Sequence, residues 1–322
     1  MSNDESVTGV ADRLPSGAGV VEAPVGVSSG DHPAGGVIVV GIDESEAAAA
    51  AAVWAADEAE CRHAVLRLVH SYVLPQNAGY PDYESMPNDM QFEIRQQGQR
   101  LLDRVGSALA ARRQSLAVDT LTVYARPAKA LRTASEHATL TVVGSGSAAR
   151  VPGVLVGSVA SAVAASNPVP VAVIHPGFGG HPTGPVVVGV DGSRLSDNAI
   201  GFAFDEASVR ASELVAVHAW SDFFLDGRLQ SPLVDPKVLQ QEERALLSEC
   251  LAGWTGRYPD VVVRHILVRK SPTAALLEYA ASAQMIVVGS HGRGGFTRML
   301  LGSNSRALIT HARCPVVIAR HV

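Results

Sequence analysis

Two patterns of apolar residues alternate along the chain from residue 37 onwards. Short uninterrupted apolar runs, such as residues 37–42 and 186–190, are typical of strands buried on both faces of a parallel sheet. Longer segments between these runs carry apolar side chains at helical spacing. Strands that alternate with helices predict an α/β fold, in which a parallel sheet is covered by helices on both faces.

The second half of the chain shows the pattern most clearly, with strands predicted at roughly 186–191, 213–219, 261–268, 285–289 and 315–319. Ser271 followed by Pro272 predicts a helix start, because serine caps helices and proline suits the first helical position. Pro127 marks the matching start in the first half. One buried helix face is predicted in each half: Leu239, Leu246, Leu247, Cys250, Leu251 and Trp254 in the second, and Ile94, Leu101, Leu102, Val105 and Leu109 in the first.

The two halves repeat each other. Residues 41–45 match 189–193 and residues 68–72 match 216–220, both 148 positions later. Residues 142–145 match 287–290 and residues 169–171 match 314–316, both 145 positions later. A nearly constant offset across four separate phrases indicates duplication. We therefore predict two tandem, doubly wound, Rossmann-like domains, each with a five-stranded parallel sheet.

The segments outside the repeat set the predicted domain boundaries. Residues 1–36 have no aromatic residue and no apolar period, so we expect a disordered tail. Residues 176–185 are rich in glycine and proline and predict a linker. The two domains are then expected at residues 37–175 and 186–322.

Composition and charge exclude several classes of function. The net charge is −5 and the basic residues are scattered, which argues against nucleic acid as a partner. The apolar run 47–56 is too short to cross a bilayer, and the amino terminus lacks a basic and apolar signal, so we expect a cytoplasmic protein with no membrane partner. The three cysteines have no metal-ligand spacing, so we expect no protein-built metal site.

The strongest chemical signal is the glycine-rich segment 289–303, which follows a predicted strand directly. Loops at the carboxyl ends of parallel strands are where open α/β sheets bind ligands. Glycines let main-chain N–H groups approach a phosphate, and a helix that begins near Gly302 adds its positive end. Ser303 and Ser305 can add hydroxyl donors. A flexible surface loop is the alternative interpretation of such a segment.

Other polar residues near these strand ends have two interpretations each. Asp191, with Ser193, follows the first strand of the second copy and could bind ribose or adenine, or could cap the next helix. His291 could touch a phosphate or face solvent. Arg293 and Arg298 could neutralise phosphate or simply solvate the loop. His70 and His218 end equivalent strands and are better explained as structural imidazoles.

These phrases resemble those of a known family. Gly289-x2-Gly292-x9-Gly302-Ser303, residues 189–193, the His-Ala-Trp at 218–220 and residues 314–318 are similar to landmarks of the ATP-binding branch of the universal stress protein family. The resemblance covers nearly all of residues 37–322, and its tandem form resembles the two-domain stress proteins of actinobacteria. It implies a fold like that of the adenine-nucleotide alpha-hydrolases.

The resemblance also implies an ATP site in the second copy. Asp191 and the backbone of Ala219 would hold the adenosine, and the loop glycines with Ser303 would hold the phosphates, assisted by Ser305. Asn304 stands where the family usually has an apolar residue. The full set implied is Gly189, Val190, Asp191, Ser193, Ala219, Val288, Gly289, His291, Gly292, Arg293, Gly302, Ser303, Asn304 and Ser305.

The first copy departs from this pattern. Ser147 replaces the second glycine, Ala160 stands where the second copy has Ser305, and Pro152 removes one N–H from the loop. Weaker ATP binding is therefore expected there. The corresponding residues are Gly41, Ile42, Asp43, Ser45, Ser71, Val143, Gly144, Gly157, Ser158 and Val159.

Three functions remain open at this point. The first is an ATP-binding regulatory module in a stress or growth-arrest response, with Mg²⁺ carried by the phosphates and unknown regulatory partners. The second is a slow ATPase or phosphotransferase, against which stand the missing G-x-x-x-x-G-K-[ST] loop and the absence of a recognisable catalytic set. The third, a flavin or dinucleotide protein, lacks the G-x-G-x-x-G signature. We favour the first, with no catalytic residues, and expect an internal pseudo-dimer or a homodimer.

Overall fold

The computed structural model describes residues 35–74, 79–80, 83–146, 157–177, 181–220, 236–292 and 301–320. Residues 1–34 of the predicted tail, residues 178–180 of the predicted linker, and Ser147, Pro152, Arg293 and Arg298 lie outside the described residues. None of the described helices is long and apolar enough to cross a membrane.

Strands and helices alternate throughout both halves, as the sequence predicts. The first half contains β1 (Val37–Gly41), α1 (Glu46–Arg62), β2 (Val65–Tyr72), α2 (Asn88–Ala110), β3 (Val118–Tyr124), α3 (Pro127–Ala134), β4 (Leu140–Gly144), α4 (Ser158–Ser166) and β5 (Val171–Ile174). The second contains β6 (Val186–Val190), α5 (Arg194–Val209), β7 (Leu214–Ala219), α6 (Pro236–Arg257), β8 (Val263–Val268), α7 (Pro272–Tyr279), β9 (Met285–Gly289), α8 (Ser303–His311) and β10 (Val316–Ala319).

The predicted helix signals are confirmed. The Ser271 side chain accepts a hydrogen bond from the Ala274 N–H and caps α7, and proline occupies the first turn of both α3 and α7. In α6, Leu247 and Leu251 are buried and Trp254 packs beside them, so this helix presents the predicted apolar face to the sheet.

All ten strands form one sheet, in the order β3-β2-β1-β4-β5-β10-β9-β6-β7-β8. Pairing within each half is parallel, whereas β5 and β10 pair antiparallel, with Ala172 opposite Val317. The repeat predicts two five-stranded sheets but not that they join edge to edge. This pairing removes one unpaired edge strand from each half. Because β5 and β10 run antiparallel, the carboxyl ends of the strands in one half lie on the opposite side of the sheet from those in the other half.

The sheet is buried between two helical layers. Alternate strand residues such as Ile38 and Val40 pack with α1, α2, α5 and α6, while Val37 and Val39 pack with α3, α4, α7 and α8. The central strands are covered on both faces, which explains why they are continuous apolar runs in the sequence.

A cluster of buried charges joins α1 to α5, and we call it the interface cluster. It contains Glu58 and Arg62 from α1 and their repeat equivalents Glu206 and Arg210 from α5. Arg62 Nη2 lies 2.6 Å from Glu206 Oε1, Arg210 Nε lies 2.9 Å from Glu206 Oε2, and each arginine also bonds Glu58. Both carboxylates have no exposed surface. Burial, reinforced by the neighbouring Glu58, raises the pKa of Glu206 to about 7, although both arginines oppose the change.

Candidate functional site

The second-half site lies where the carboxyl ends of three neighbouring strands meet. Strand β6 sits between β7 and β9, with Val190 opposite His218 and Val188 opposite Val287. From β6 the chain continues to the neighbouring strand β7, whereas the strand on the opposite side of β6 is β9. Because the connections after β6 and β9 run in opposite directions along the sheet, a crevice is expected between them. The strand order therefore brings the turn after β6 next to the loop after β9, as the candidate site requires.

The turn after β6 is fixed by its own hydrogen bonds. Asp191 Oδ1 accepts a bond from the Ser193 N–H at 2.9 Å, and Ser193 Oγ accepts one from the Ser196 N–H at 3.2 Å, which caps α5. Gly192 has a φ of 78°, a left-handed conformation that favours glycine. Ser193 is therefore the helix cap, while Asp191 both shapes the turn and remains at the crevice.

Asp191 rests against the glycine-rich loop. A Cβ placed on Gly292 would lie only 2.7 Å from Asp191 Oδ2, so the carboxylate occupies space that any other residue at position 292 would need. These two residues are a hundred positions apart in the sequence. Their contact shows that the aspartate after the first strand and the loop after the fourth strand are adjacent in space.

Main-chain contacts bring together the two ends of the loop, at Ser290 and Gly302, which we call the loop neck. The Gly302 N–H donates to the Ser290 carbonyl at 2.8 Å, and a Cβ on Gly289 would lie 2.9 Å from the Leu195 carbonyl oxygen. Helix α8 begins at Ser303, which is exposed, and no side chain of the described residues caps this end of the helix. Its first N–H groups thus point towards the crevice in the orientation that suits an anion.

Two predicted site residues in α8 have structural contacts. Ser305, predicted as a hydroxyl donor to phosphate, is buried and donates instead to the Gly289 carbonyl at 2.8 Å, so it braces the loop. Asn304 Oδ1 accepts a bond from the Thr273 hydroxyl at 2.9 Å, which joins α8 to α7. This contact gives a physical reason for a polar residue at position 304.

His218 is a structural imidazole, as predicted. It is 2% exposed, its Nδ1 lies 2.6 Å from the Val190 carbonyl oxygen, and its Nε2 lies 2.6 Å from Glu243 Oε2. The imidazole therefore ties the end of β6 to β7 and α6, directly before Asp191. Ala219, the predicted adenosine contact, follows His218 and is half-buried at the mouth of the crevice.

Sequence reasoning missed two residues that support this site. Glu243 lies on α6 and has no local signal, since its role depends on contact with His218. Ser196 Oγ accepts a bond from the Asp191 N–H at 3.1 Å and so holds the aspartate backbone. Its position three residues after the helix cap is a signal that the sequence offered.

His291 is partly buried rather than solvent-facing. Its Nδ1 lies 3.3 Å from Ser290 Oγ, and burial, followed by the charge of Arg320, lowers its pKa. These surroundings therefore favour the uncharged imidazole. The remaining predicted residues Gly189, Val190 and Val288 end β6 and β9 and form the floor of the crevice.

The first-half site has the same main-chain framework. Asp43 Oδ1 accepts from the Ser45 N–H at 2.9 Å, and Ser45 Oγ caps α1 by accepting from the Ala48 N–H at 3.0 Å. The Gly157 N–H donates to the Ser145 carbonyl at 2.5 Å, which closes the loop neck as in the second half. The other predicted residues lie along the same carboxyl edge: Gly41 ending β1 and Ile42 after it, Ser71 in β2, Val143 and Gly144 ending β4, and Ser158 and Val159 opening α4.

The polar supports of the second site are missing from the first. Ala48 replaces Ser196, Ala160 replaces Ser305, and Gly98 replaces Glu243, so among the described residues His70 bonds the Ile42 carbonyl alone, at 2.9 Å from Nδ1. A Cβ on Gly98 would lie 2.8 Å from the His70 ring, so no longer side chain fits there. Asp43 is also exposed, whereas Asp191 is partly buried.

Comparison with known proteins gives a consistent picture. The model of the universal stress protein family matches residues 36–175 and again residues 183–320. Universal stress protein Rv2005c of Mycobacterium tuberculosis is 39% identical over 291 residues, covering 88% of this chain and 96% of the relative. Rv2623 of the same species is 40% identical over 302 residues, covering 91% and 99%. The crystal structure of a universal stress protein from Archaeoglobus fulgidus has the same fold, with a TM-score of 0.67 at 20% identity over 88% of this chain and 98% of that one.

Proposed function

The chain belongs to the universal stress protein family, and from that premise we propose that it is an ATP-binding regulatory module. In this proposal the second site binds ATP, and its occupancy changes the conformation of the chain or its choice of partner. Slow ATP hydrolysis or phosphoryl transfer is the alternative function.

The observation that carries the proposal is the contact between Asp191 and Gly292. It brings a carboxylate, an acceptor for ribose hydroxyls or the adenine amine, beside a glycine loop that leads into the uncapped end of α8. Asp191 and the backbone of Ala219 would hold the adenosine. Gly289, Gly302 and the amino end of α8 would hold the phosphates, and Mg²⁺ would arrive bound to them.

The contacts of the site favour binding over chemistry. His218 has both ring nitrogens engaged by Val190 and Glu243 and is not positioned to take a proton from a nucleophile. Ser305 is committed to the Gly289 carbonyl. We therefore propose a bound effector, with turnover far below the enzyme range of about 1 to 1000 per second.

Titration calorimetry with ATP tests the ranking of the two sites. Asp191→Ala should weaken binding more than Asp43→Ala, because Asp191 is partly buried and braced by Ser196 whereas Asp43 is exposed. A loss of about tenfold or more is expected for Asp191→Ala. Asp103→Ala, an exposed carboxylate on α2, is the control for charge. Equal losses at Asp191 and Asp43 would refute the ranking.

A second experiment separates an effector from an enzyme. In Gly302→Ala the added Cβ would lie 3.2 Å from the Ser290 carbonyl oxygen and 3.3 Å from His291 Cα, so the loop neck must shift and ATP retention should be lost. Gly253→Ala, where a Cβ meets nothing within 4 Å, is the matched control. Phosphate release under saturating ATP and Mg²⁺ is measured beside partner capture with and without nucleotide. Turnover of several per second that Gly302→Ala and Asp191→Ala abolish, with capture unchanged by nucleotide, would favour the enzyme.

A further inference from the structure

Arg320 lies beside the phosphate loop of the second site, although no sequence motif includes it. Strand β10 pairs with β9 in parallel, with Ala319 opposite Gly289. The next residue, Arg320, therefore lies alongside Ser290, the first residue of the loop. The side chain also reaches the first half, where its Nη2 donates to the Ala164 carbonyl at 2.6 Å, near the carboxyl end of α4.

The guanidinium of Arg320 lacks a counter-ion among the described residues. Its Nε is buried and has no hydrogen-bond partner, and no carboxylate of the described chain forms an ion pair with it. Burial lowers the pKa of Arg320, but an arginine side chain stays protonated in proteins. Arg320 as a whole is partly buried, and a partly buried cation whose Nε–H is shielded from water is stabilised by a nearby anion.

A second unpartnered nitrogen lies close by. His291 Nε2, in the phosphate loop, is also buried without a partner among the described residues, and the charge of Arg320 acts on this imidazole. Two unsatisfied nitrogens of two different segments thus adjoin the loop that the proposed function assigns to phosphate. Their arrangement fits an anion better than a cation, because one of the two carries a permanent positive charge.

The first site has no permanent charge at the equivalent place. Ile174 pairs with Gly144, so His175 lies beside Ser145 just as Arg320 lies beside Ser290. His175 is 9% exposed, its ring nitrogens make no hydrogen bond of ordinary geometry with the described residues, and burial lowers its pKa although the nearby backbone of Ile309 opposes the change. This environment favours the neutral imidazole, so the first site lacks the permanent positive charge that Arg320 gives the second.

We propose that Arg320 is a phosphate-binding residue of the second site, supplying its charge and its Nε–H to the phosphate chain of a nucleoside polyphosphate. The bond from Nη2 to Ala164 fixes the guanidinium against the first half, so the domain interface forms one wall of the phosphate site. The second site would then select nucleoside polyphosphates over nucleosides. This inference rests on the proposed function and deepens it.

Calorimetric titrations with ATP and with adenosine test the assignment. The full-length chain carries Asp43→Ala throughout, a change that we expect to weaken the first site, and Arg320→Met and Arg320→Lys are compared in that background. We expect Arg320→Met to bind ATP about tenfold or more weakly while adenosine affinity changes less than about twofold. Arg320→Lys should recover part of the loss. Arg313→Met removes the same charge from an exposed position before β10, at the opposite edge of the sheet, and should leave both affinities unchanged.

The outcomes separate this inference from the proposed function. If the Asp43→Ala chain with Arg320 intact binds ATP and Arg320→Met binds it equally well, the inference is wrong and the proposed function stands. An equal loss for ATP and adenosine would show that Arg320 only ties the halves together. If neither the wild-type chain nor the background binds ATP, both proposals fail.

A measurement on the unmutated side chain covers the case in which Arg320→Met does not fold. The Nε–H resonance of Arg320, assigned by its disappearance in Arg320→Lys, should shift when ATP is added and stay in place when adenosine is added. If the resonance does not shift at saturating ATP, the proposal that Arg320 binds phosphate is wrong.

Discussion

The two halves of this chain have similar main-chain geometry at their candidate sites but differ in the side chains that support it. Each has an aspartate after its first strand, a serine cap two residues later and a glycine that closes the loop neck. The second half adds Ser196, Glu243, Ser305 and Arg320 around that framework, where the first has alanine, glycine, alanine and a histidine. A duplicated fold can thus keep the outline of a site while one copy loses the groups that hold it rigid.

The interface cluster shows the opposite behaviour. Glu58 and Arg62 in the first half have identical equivalents, Glu206 and Arg210, in the second, and each arginine bonds the carboxylates of both halves. The halves are therefore alike where they meet and unlike where they would bind nucleotide. The next three predictions test this contrast, from the largest expected effect to the smallest.

Removing either interface arginine should have the largest effect. Arg62→Met and Arg210→Met should each lower the free energy of unfolding by about 3–5 kcal/mol, because either change leaves buried carboxylates without full compensation. The two losses should be of similar size, because each arginine bonds both buried carboxylates, although Arg62 also pairs with the more exposed Asp205. Chemical denaturation followed by circular dichroism provides the measurement.

A surface pair serves as the control for this first prediction. Arg100 lies 2.8 Å from Glu93 with more than half of each side chain exposed, so Arg100→Met should change stability by no more than about 1 kcal/mol. A loss at Arg62 or Arg210 as small as this one would mean that the interface cluster does not hold the halves together.

The raised pKa of Glu206 predicts a pH dependence of intermediate size. Its pKa rises from an ordinary 4.5 to about 7, so the folded chain holds a proton there that the unfolded chain releases. This contribution to stability is complete below about pH 4.5 and is lost as the pH rises through about 7, with a slope of at most about 1.4 kcal/mol per pH unit. Denaturation midpoints between pH 5 and 8 measure it.

Glu206→Gln should remove that slope, because glutamine cannot titrate. Glu213→Gln, which changes an exposed carboxylate paired with Arg264, should leave the slope in place. An unchanged slope in Glu206→Gln would assign the pH dependence to other groups.

The smallest expected effect concerns the brace behind each phosphate loop. Ser305→Ala removes the bond to the Gly289 carbonyl and should weaken ATP binding at the second site by about 1 kcal/mol, or roughly fivefold. Ala160→Ser adds a hydroxyl at the same place in the first half, where Ala160 is 1% exposed. Calorimetry measures the ATP affinity of both variants. If Ala160→Ser binds ATP more tightly at the first site, this one hydroxyl explains much of the difference in affinity between the two sites.

The sequence alone determined the fold class, the duplication and the placement of the main site residues. Buried parallel strands must be apolar on both faces, so they appear in the sequence as continuous apolar runs. Two copies of one repeat are expected to have the same order of strands. Asp191 and the loop glycines could be placed together because each follows a strand, and parallel strands share one carboxyl edge. The resemblance to a known family supplied the identity of the proposed ligand.

Tertiary structure decided what no local pattern carries. Strands β5 and β10, which join the two sheets, lie more than a hundred positions apart, and so do Glu58 and Glu206 of the interface cluster. Arg320 lies beside Ser290, some thirty positions earlier in the chain. An arginine after a strand or a glutamate within a helix looks the same in sequence whether it faces solvent or a buried partner. Its role is set by burial and by the group it meets, and both exist only once the two halves have packed together.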